Sequence, residues 1–157
     1  MKARFLLALT LTAAAVVITA QNPDRIHQLK ELKTANISVA GRRFTVWVMN
    51  TPTKRNEGMM FLKDKDVHID QGMLFVFAAP QPLSFWMRNT LIPLDIAFID
   101  RTGKILNTPQ MKPLDETGVP SRGDAMYALE MKQGAFKKYG IKPGMKVSIP
   151  HTVKATS

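Results

Sequence analysis

The sequence has no cysteine among its 157 residues and only three histidines. The lack of cysteine excludes a disulfide framework, a thiolate metal site, a cysteine nucleophile and an anchor on a lipid-modified cysteine. The histidines His27, His68 and His151 lie far apart in the sequence, which disfavours a histidine-rich metal centre. We therefore expect the protein to hold no metal ion.

Motifs for cofactors and nucleophiles are also missing. The chain has neither a glycine-rich phosphate loop nor a dinucleotide-binding fingerprint, and none of its serines lies in a G-x-S-x-G elbow. Nine of the ten methionines follow residue 20 and lie in or beside apolar segments, where core packing explains them better than copper binding. These absences predict no organic cofactor and favour a protein that is not an enzyme.

Long apolar runs are scarce, and the one that stands out is at the N-terminus. Lys2 and Arg4 precede an apolar run over residues 5–18, and small residues lead to Ala20. This order is typical of a secretory signal peptide. The bulky Ile18 leaves an uncleaved N-terminal anchor as the alternative. We expect residues 1–20 to be a signal peptide or anchor, and the protein to be exported to the periplasm or the outside of the cell.

Acidic residues are few, with 12 Asp and Glu against 22 Lys and Arg, a net charge of +10. Removal of residues 1–20 takes away Lys2 and Arg4 and leaves 20 against 12, or +8. The basic pairs are scattered and are not interleaved with aromatic residues, so we predict no nucleic-acid partner. We expect a solvated basic surface, with attraction to anionic lipid headgroups or envelope polyanions as the alternative.

Short apolar segments alternate with turns after residue 20, and this pattern predicts a mainly β fold of the α+β type. Residues 36–49 alternate as a β-hairpin with its turn at Ala40-Gly41-Arg42, and Thr51-Pro52 is a capped helix start. We predict a helix to about residue 60, a second helix over 133–139, and a small curved antiparallel sheet or barrel. Further strands are predicted over residues 73–77, 84–87, 94–99, 104–106, 125–131 and 145–149.

The predicted organisation is one domain over residues 36–150. A flexible lead-in over residues 21–35 precedes it, and a disordered tail over residues 151–157 follows it. Residues 109–124 are rich in proline, glycine and charge, and predict a long exposed loop.

Several segments together resemble the family of domain of unknown function 192 (DUF 192), a group of small bacterial and archaeal proteins. The resemblance covers about residues 36–150 and implies a compact β-rich domain with short helices, but no reaction. Met145 departs from the family pattern, which often has an acidic residue there. The segments are Asn50-Thr51-Pro52 with Arg55 and Gly58-Met59-Met60, residues 72–77, residues 85–100, Tyr127-Ala128-Leu129-Glu130 and residues 140–144.

Polar residues within apolar segments are the candidates for a binding site. Strand periodicity places Trp86 and Arg88 on one face and Asn89 on the other. Asp95 and Glu130 each adjoin apolar residues and are expected to be buried. A buried carboxylate needs a cation or several hydrogen bonds, or it stays neutral, and for Asp95 we predict Arg88 as the partner. The candidate ligand-binding residues are Trp86, Arg88, Asn89, Asp95 and Glu130.

Three functions are compatible with these residues. The favoured one is a non-catalytic binding or accessory module of the cell envelope, which holds a small anionic ligand or a partner's acidic group at Arg88. A hydrolase would instead use Asp95 and Glu130 as general acid and base, the two candidate catalytic residues. In a purely structural or interaction domain, the Arg88–Asp95 pair would fix a corner of the fold and Asn89 would occupy a demanding turn.

Overall fold

The computed structural model describes residues 22–156, so the predicted signal peptide or anchor lies outside the described residues. The described chain forms a seven-stranded sheet of order β1-β2-β3-β7-β4-β5, with β6 paired to β4. This open sheet confirms the predicted β-rich fold with two short helices and removes the barrel alternative. The elements are β1 (Thr34–Val39), β2 (Arg42–Met49), α1 (Pro52–Glu57), β3 (Gln71–Phe85), β4 (Leu94–Ile99), β5 (Ile105–Asn107), β6 (Gln110–Met111), β7 (Val119–Lys132) and α2 (Ala135–Tyr139). Neither α-helix is long and apolar enough to cross a bilayer.

The predicted hairpin is present as β1 and β2, joined by the turn residues Ala40 and Gly41. Both residues have positive φ, 53° and 72°, as the tight turns that suit the strand twist require. Phe44 and Val46 of β2 pack in one hydrophobic cluster, and Trp47 packs in another. The alternating residues of β2 therefore pack on both faces of the sheet.

Helix α1 connects β2 to the parallel strand β3. Thr51 caps it by accepting a hydrogen bond from the Lys54 amide (3.3 Å), and Pro52 is its first residue, as predicted. The helix ends at Glu57, three residues earlier than predicted, because Gly58 adopts a positive φ of 46°. A Cβ atom at Gly58 would lie 3.1 Å from the Phe75 ring, so a side chain there would crowd the core.

The long antiparallel strands β3 and β7 form an arm that bends over one face of the sheet. Two register shifts, between Val76 and Gln81 and between Pro82 and Ser84, produce the irregularity. The bend brings the Phe85 ring 4.9 Å from that of Phe75 and 5.6 Å from that of Phe98, between ring centroids. Strand β3 joins the two strands predicted over residues 73–77 and 84–87, which prolines separate in the sequence. Residues 119–124 were predicted as part of a loop, and in the structure they belong to β7.

The sheet separates two hydrophobic clusters. The first lies under the bent arm and α1, and includes Met73, Phe75, Ile96 and Phe98. The second lies on the other face, where α2 and the C-terminal segment cover it. The strand predicted over residues 145–149 is not a continuous strand. Lys146 and Ser148 each form one isolated β-bridge, and the other backbone hydrogen bonds of this segment are those of turns and loops.

Both ends of the described chain contact the domain. The sequence predicts a disordered tail, and in the structure the Thr156 amide donates to the Asn50 carbonyl (2.9 Å). The sequence predicts a flexible lead-in, and the structure places the Arg25 side chain in the interior, where its Nη1 donates to the carbonyl of Gly58 (3.0 Å).

Candidate functional site

Glu130 is a buried carboxyl group on β7, between β3 and β4. It pairs with Met73 on one side and Ile96 on the other, and so faces the first hydrophobic cluster. Its side chain has no hydrogen bond or ion pair to any residue of 22–156. Burial raises the pKa of Glu130 to about 8. At neutral pH this carboxyl is therefore protonated and can donate a hydrogen bond.

A cavity of about 30 Å³ lies beside Glu130, between the sheet and the bent arm. This volume suffices for about one water molecule or the tip of a ligand. The cavity wall contains both aromatic and polar residues. It includes Arg55, Glu57, Phe75, Phe85, Trp86 and Thr90.

Arg55 of α1 supplies the positive charge of the cavity wall. Its Nη1 donates to the carbonyls of Asn50 (3.1 Å) and Val76 (3.0 Å), and the guanidinium lies 4.9 Å from the Phe77 ring centroid. Partial burial lowers the pKa of Arg55, but an arginine side chain stays cationic at any physiological pH. The two bonds fix the charge, and the other guanidinium nitrogens have no side-chain or backbone acceptor among residues 22–156.

Trp86 lines the edge of the cavity, and Arg88 lies beside it outside the cavity. Trp86 is 46% exposed, and the Arg88 guanidinium lies over its ring, 5.5 Å from the centroid. The two side chains lie together, although β3 ends at Phe85 and Arg88 lies in a turn, and not in the strand that the sequence predicted. Asn89 has the positive φ (53°) that the turn interpretation predicted, and its carbonyl accepts a hydrogen bond from the Phe61 amide (2.8 Å).

Asp95 lies on the opposite face of the sheet from Glu130. Its Oδ2 accepts hydrogen bonds from the amides of Gly134 (2.9 Å) and Phe136 (3.0 Å), and its Oδ1 accepts one from Gln110 (3.2 Å). These bonds cap the start of α2 and satisfy the buried carboxylate. The predicted ion pair between Arg88 and Asp95, both within the described residues, was wrong. Arg88 is exposed, whereas the strand period turns Asp95 toward α2.

The position of Asp95 also bears on the hydrolase hypothesis. Asp95 pairs with Met131, and Ile96 pairs with Glu130, so the two carboxyl groups point to opposite sides of one sheet. An acid and a base that act on one substrate must reach the same atoms. Asp95 and Glu130 therefore cannot serve as a catalytic pair.

The DUF192 family, described as an uncharacterised ACR, has a sequence pattern that matches residues 35–149. The chain belongs to this family. No curated protein matches the sequence of this chain. Two solved structures are similar: a candidate transcription regulator from Sinorhizobium meliloti, and a protein of unknown function from Novosphingobium aromaticivorans.

Both similar structures support the fold of this chain. The Sinorhizobium protein has 31% identity and a TM-score of 0.71, with 75% of this chain and 95% of that chain covered. The Novosphingobium protein has 32% identity and a TM-score of 0.70, with 90% of this chain and 99% of that chain covered.

Sequence reasoning missed three residues of this DUF192 site as functional candidates. Arg55 and Thr90 lie in quoted family segments, but each is an ordinary surface residue type on a helix or turn. Glu57 is buried, and its carboxylate accepts hydrogen bonds from the Ile26 amide (2.6 Å) and from the His27 amide (3.0 Å). These contacts attach the segment after residue 21 to the cavity wall, and no local pattern predicts them.

Proposed function

We propose that this protein is an exported, non-catalytic binding module of the cell envelope, and that it holds a small ligand by an anionic group at the Glu130 cavity. The observation that carries the proposal is the buried carboxyl of Glu130. It lacks a partner within residues 22–156 and lies beside a cavity. Arg25 Nη2 is the only fully buried side-chain polar atom of residues 22–156 that lacks a hydrogen bond, so the unbonded Glu130 oxygens face the cavity and are open to a ligand. A titratable group with a shifted pKa beside a cavity is a candidate for function.

The cavity suits an anionic oxygen. The protonated Glu130 donates a hydrogen bond, and Arg55 supplies a positive charge that its backbone bonds hold in place. A volume of about 30 Å³ admits little more than one carboxylate or phosphate oxygen. The rest of the ligand lies outside on Trp86 and Arg88, which offer a stacking face and a second positive charge.

The hydrogen bonds of Glu57, the second carboxylate at the cavity, favour binding over catalysis. Glu57 is occupied by amide hydrogen bonds and by the His27 ring nitrogen Nδ1, 2.8 Å away. A general base needs a free lone pair directed at the substrate. The described cavity therefore offers donors and positive charge, which fits recognition of an anion.

Nucleic acid does not fit this site. The two α-helices within residues 22–156 have six and five residues, too short to present a recognition helix to the major groove. Transcription regulation belongs to the description of the Sinorhizobium protein. The signal peptide or anchor predicted over residues 1–20 supports export, and fractionation of the producing cell tests that part directly.

Benzoate tests the binding site, because one oxygen of its carboxylate can enter the cavity while its ring stacks on Trp86. We expect benzoate to bind better than the uncharged benzyl alcohol in titrations followed by tryptophan fluorescence. Arg88→Gln should weaken benzoate about tenfold, the usual loss for one charge-assisted contact. Arg101→Gln, on an exposed turn distant from the cavity, is the matched control. Equal binding by benzoate and benzyl alcohol, or equal loss in both variants, would overturn the proposal.

A further inference from the structure

Large exposed hydrophobic side chains are concentrated at one end of the molecule. The described residues hold four of them: Ile26 (81% exposed), Trp86 (46%), Leu91 (46%) and Leu114 (60%). All four lie on loops and not on the sheet. Large apolar side chains that project from loops are exposed at a cost, and their concentration at one place marks an interaction surface.

Hydrogen bonds connect these loops around the mouth of the cavity. The Ile26 amide donates to Glu57, which lines the cavity together with Trp86 and Thr90. The Thr90 carbonyl accepts from the Leu114 amide (3.1 Å), which brings Leu114 beside Leu91. We call the end formed by Ile26, Trp86, Leu91 and Leu114 the apolar rim.

The chain enters the described domain at the same end. The Asn22 side chain donates to the Phe61 carbonyl (2.8 Å), and the Phe61 amide donates to the Asn89 carbonyl in the loop that carries Trp86 and Leu91. Directly before Asn22 the sequence carries the apolar run over residues 5–18. If that run is held in a bilayer, the apolar rim is the end of the domain closest to it.

We propose that the apolar rim docks on the surface of a lipid bilayer. Tryptophan is enriched at the headgroup level, and leucine and isoleucine on loops can insert below it. Arg88 stacks on Trp86 at the rim, where it can meet lipid phosphates, and the net charge of +8 over residues 21–157 favours anionic leaflets. The apolar run that precedes Asn22 and the positive charge together favour lipid as the occupant of this surface.

The proposal shares Trp86 and Arg88 with the anion site, but it requires insertion of side chains and not occupation of the cavity, so either proposal can fail without the other. It can be tested on residues 21–157. Both hydrophobic clusters lie within that segment, and the similar Sinorhizobium protein aligns with only 75% of this chain. Trp47 is buried and Trp86 is exposed, so a change in tryptophan emission on lipid addition reports Trp86.

Vesicles of phosphatidylethanolamine and phosphatidylglycerol are the probe. We expect the protein to float with the vesicles and its tryptophan emission to shift to the blue. Trp86→Phe should abolish the blue shift. The double variant Leu91→Ser/Leu114→Ser should have a partition coefficient about tenfold or more below that of the parent. Val153→Ser, on the C-terminal segment against the second cluster, is the control and should bind as the parent does. No flotation, or equal partition of the double variant and the control, overturns the proposal. Self-association that the double variant abolishes overturns it in favour of a second copy.

Discussion

Glu130 makes the stability of the domain depend on pH in a direction opposite to that of an ordinary paired carboxylate. Burial raises its pKa to about 8, against 4.5 for an exposed glutamate. Between these values the unfolded chain has released the proton and the folded chain retains it. The folded state therefore binds more protons, and the free energy of unfolding falls as pH rises from about 4.5 to about 8.

The size of this effect follows from the same interval. Each pH unit between the two pKa values costs about 1.4 kcal/mol, so the full interval of about 3.5 units costs about 5 kcal/mol. A small domain is stable by only about 5–15 kcal/mol. Ionisation of Glu130 would thus remove a large part of the stability, and the loss would be complete slightly above pH 8.

Urea unfolding of the parent and of Glu130→Gln at each pH from 5 to 9 measures the effect. Glutamine resembles the protonated acid in shape and cannot ionise, so the difference between the two proteins isolates Glu130 from other titrating groups. We expect the difference in unfolding free energy to grow by about 1.4 kcal/mol per pH unit up to pH 8 and then to level off. A difference that stays constant from pH 5 to 9 would refute the buried, neutral Glu130.

Three further predictions concern neighbouring residues. Benzoate affinity should fall above pH 8, where ionised Glu130 repels the anion, and should stay level in Glu130→Gln; a fall of equal size in that variant would contradict the donor role. Asp95→Asn should cost about 1–3 kcal/mol in urea unfolding, because the amide loses charge-assisted bonds to the start of α2, while the exposed Asp124→Asn should change little. Asn89→Val should destabilise by about 1–2 kcal/mol and Asn89→Gly should not, because a β-branched residue tolerates positive φ poorly; equal stabilities in thermal melts would argue against a strained turn.

Local signals in the sequence predicted the parts of the fold that local chemistry determines. The Ala40-Gly41 turn, the Thr51-Pro52 helix start and the unusual backbone of Asn89 each depend on one or two residues and their dihedral preferences. The bend of the arm formed by β3 and β7 depends on register shifts between two strands that are distant in the sequence, and no local pattern encodes these shifts. For that reason the proximity of Trp86 to Glu130 was not predictable from their positions 44 residues apart.

The partner assigned to Asp95 was wrong for a related reason. A buried carboxylate in an apolar strand needs donors, and the sequence offers Arg88 as the nearest cation. Backbone amides at the start of a helix can also supply these hydrogen bonds, and the amides of Gly134 and Phe136 do so for Asp95. Those donors carry no signature in the sequence, because every residue except proline has an amide.

Asp95 and Glu130 are both carboxylates within apolar strands of the sequence. In the structure they differ in the number of hydrogen bonds that each carboxyl group makes. Asp95 accepts three hydrogen bonds, so replacing it should weaken the fold. Glu130 makes none within residues 22–156, so a methionine there would suit its neighbours Met73 and Ile96 better. Stability alone does not explain a carboxyl at position 130. The ligand that we propose would explain it, because a group that accepts the Glu130 proton in a hydrogen bond would supply the partner that residues 22–156 lack.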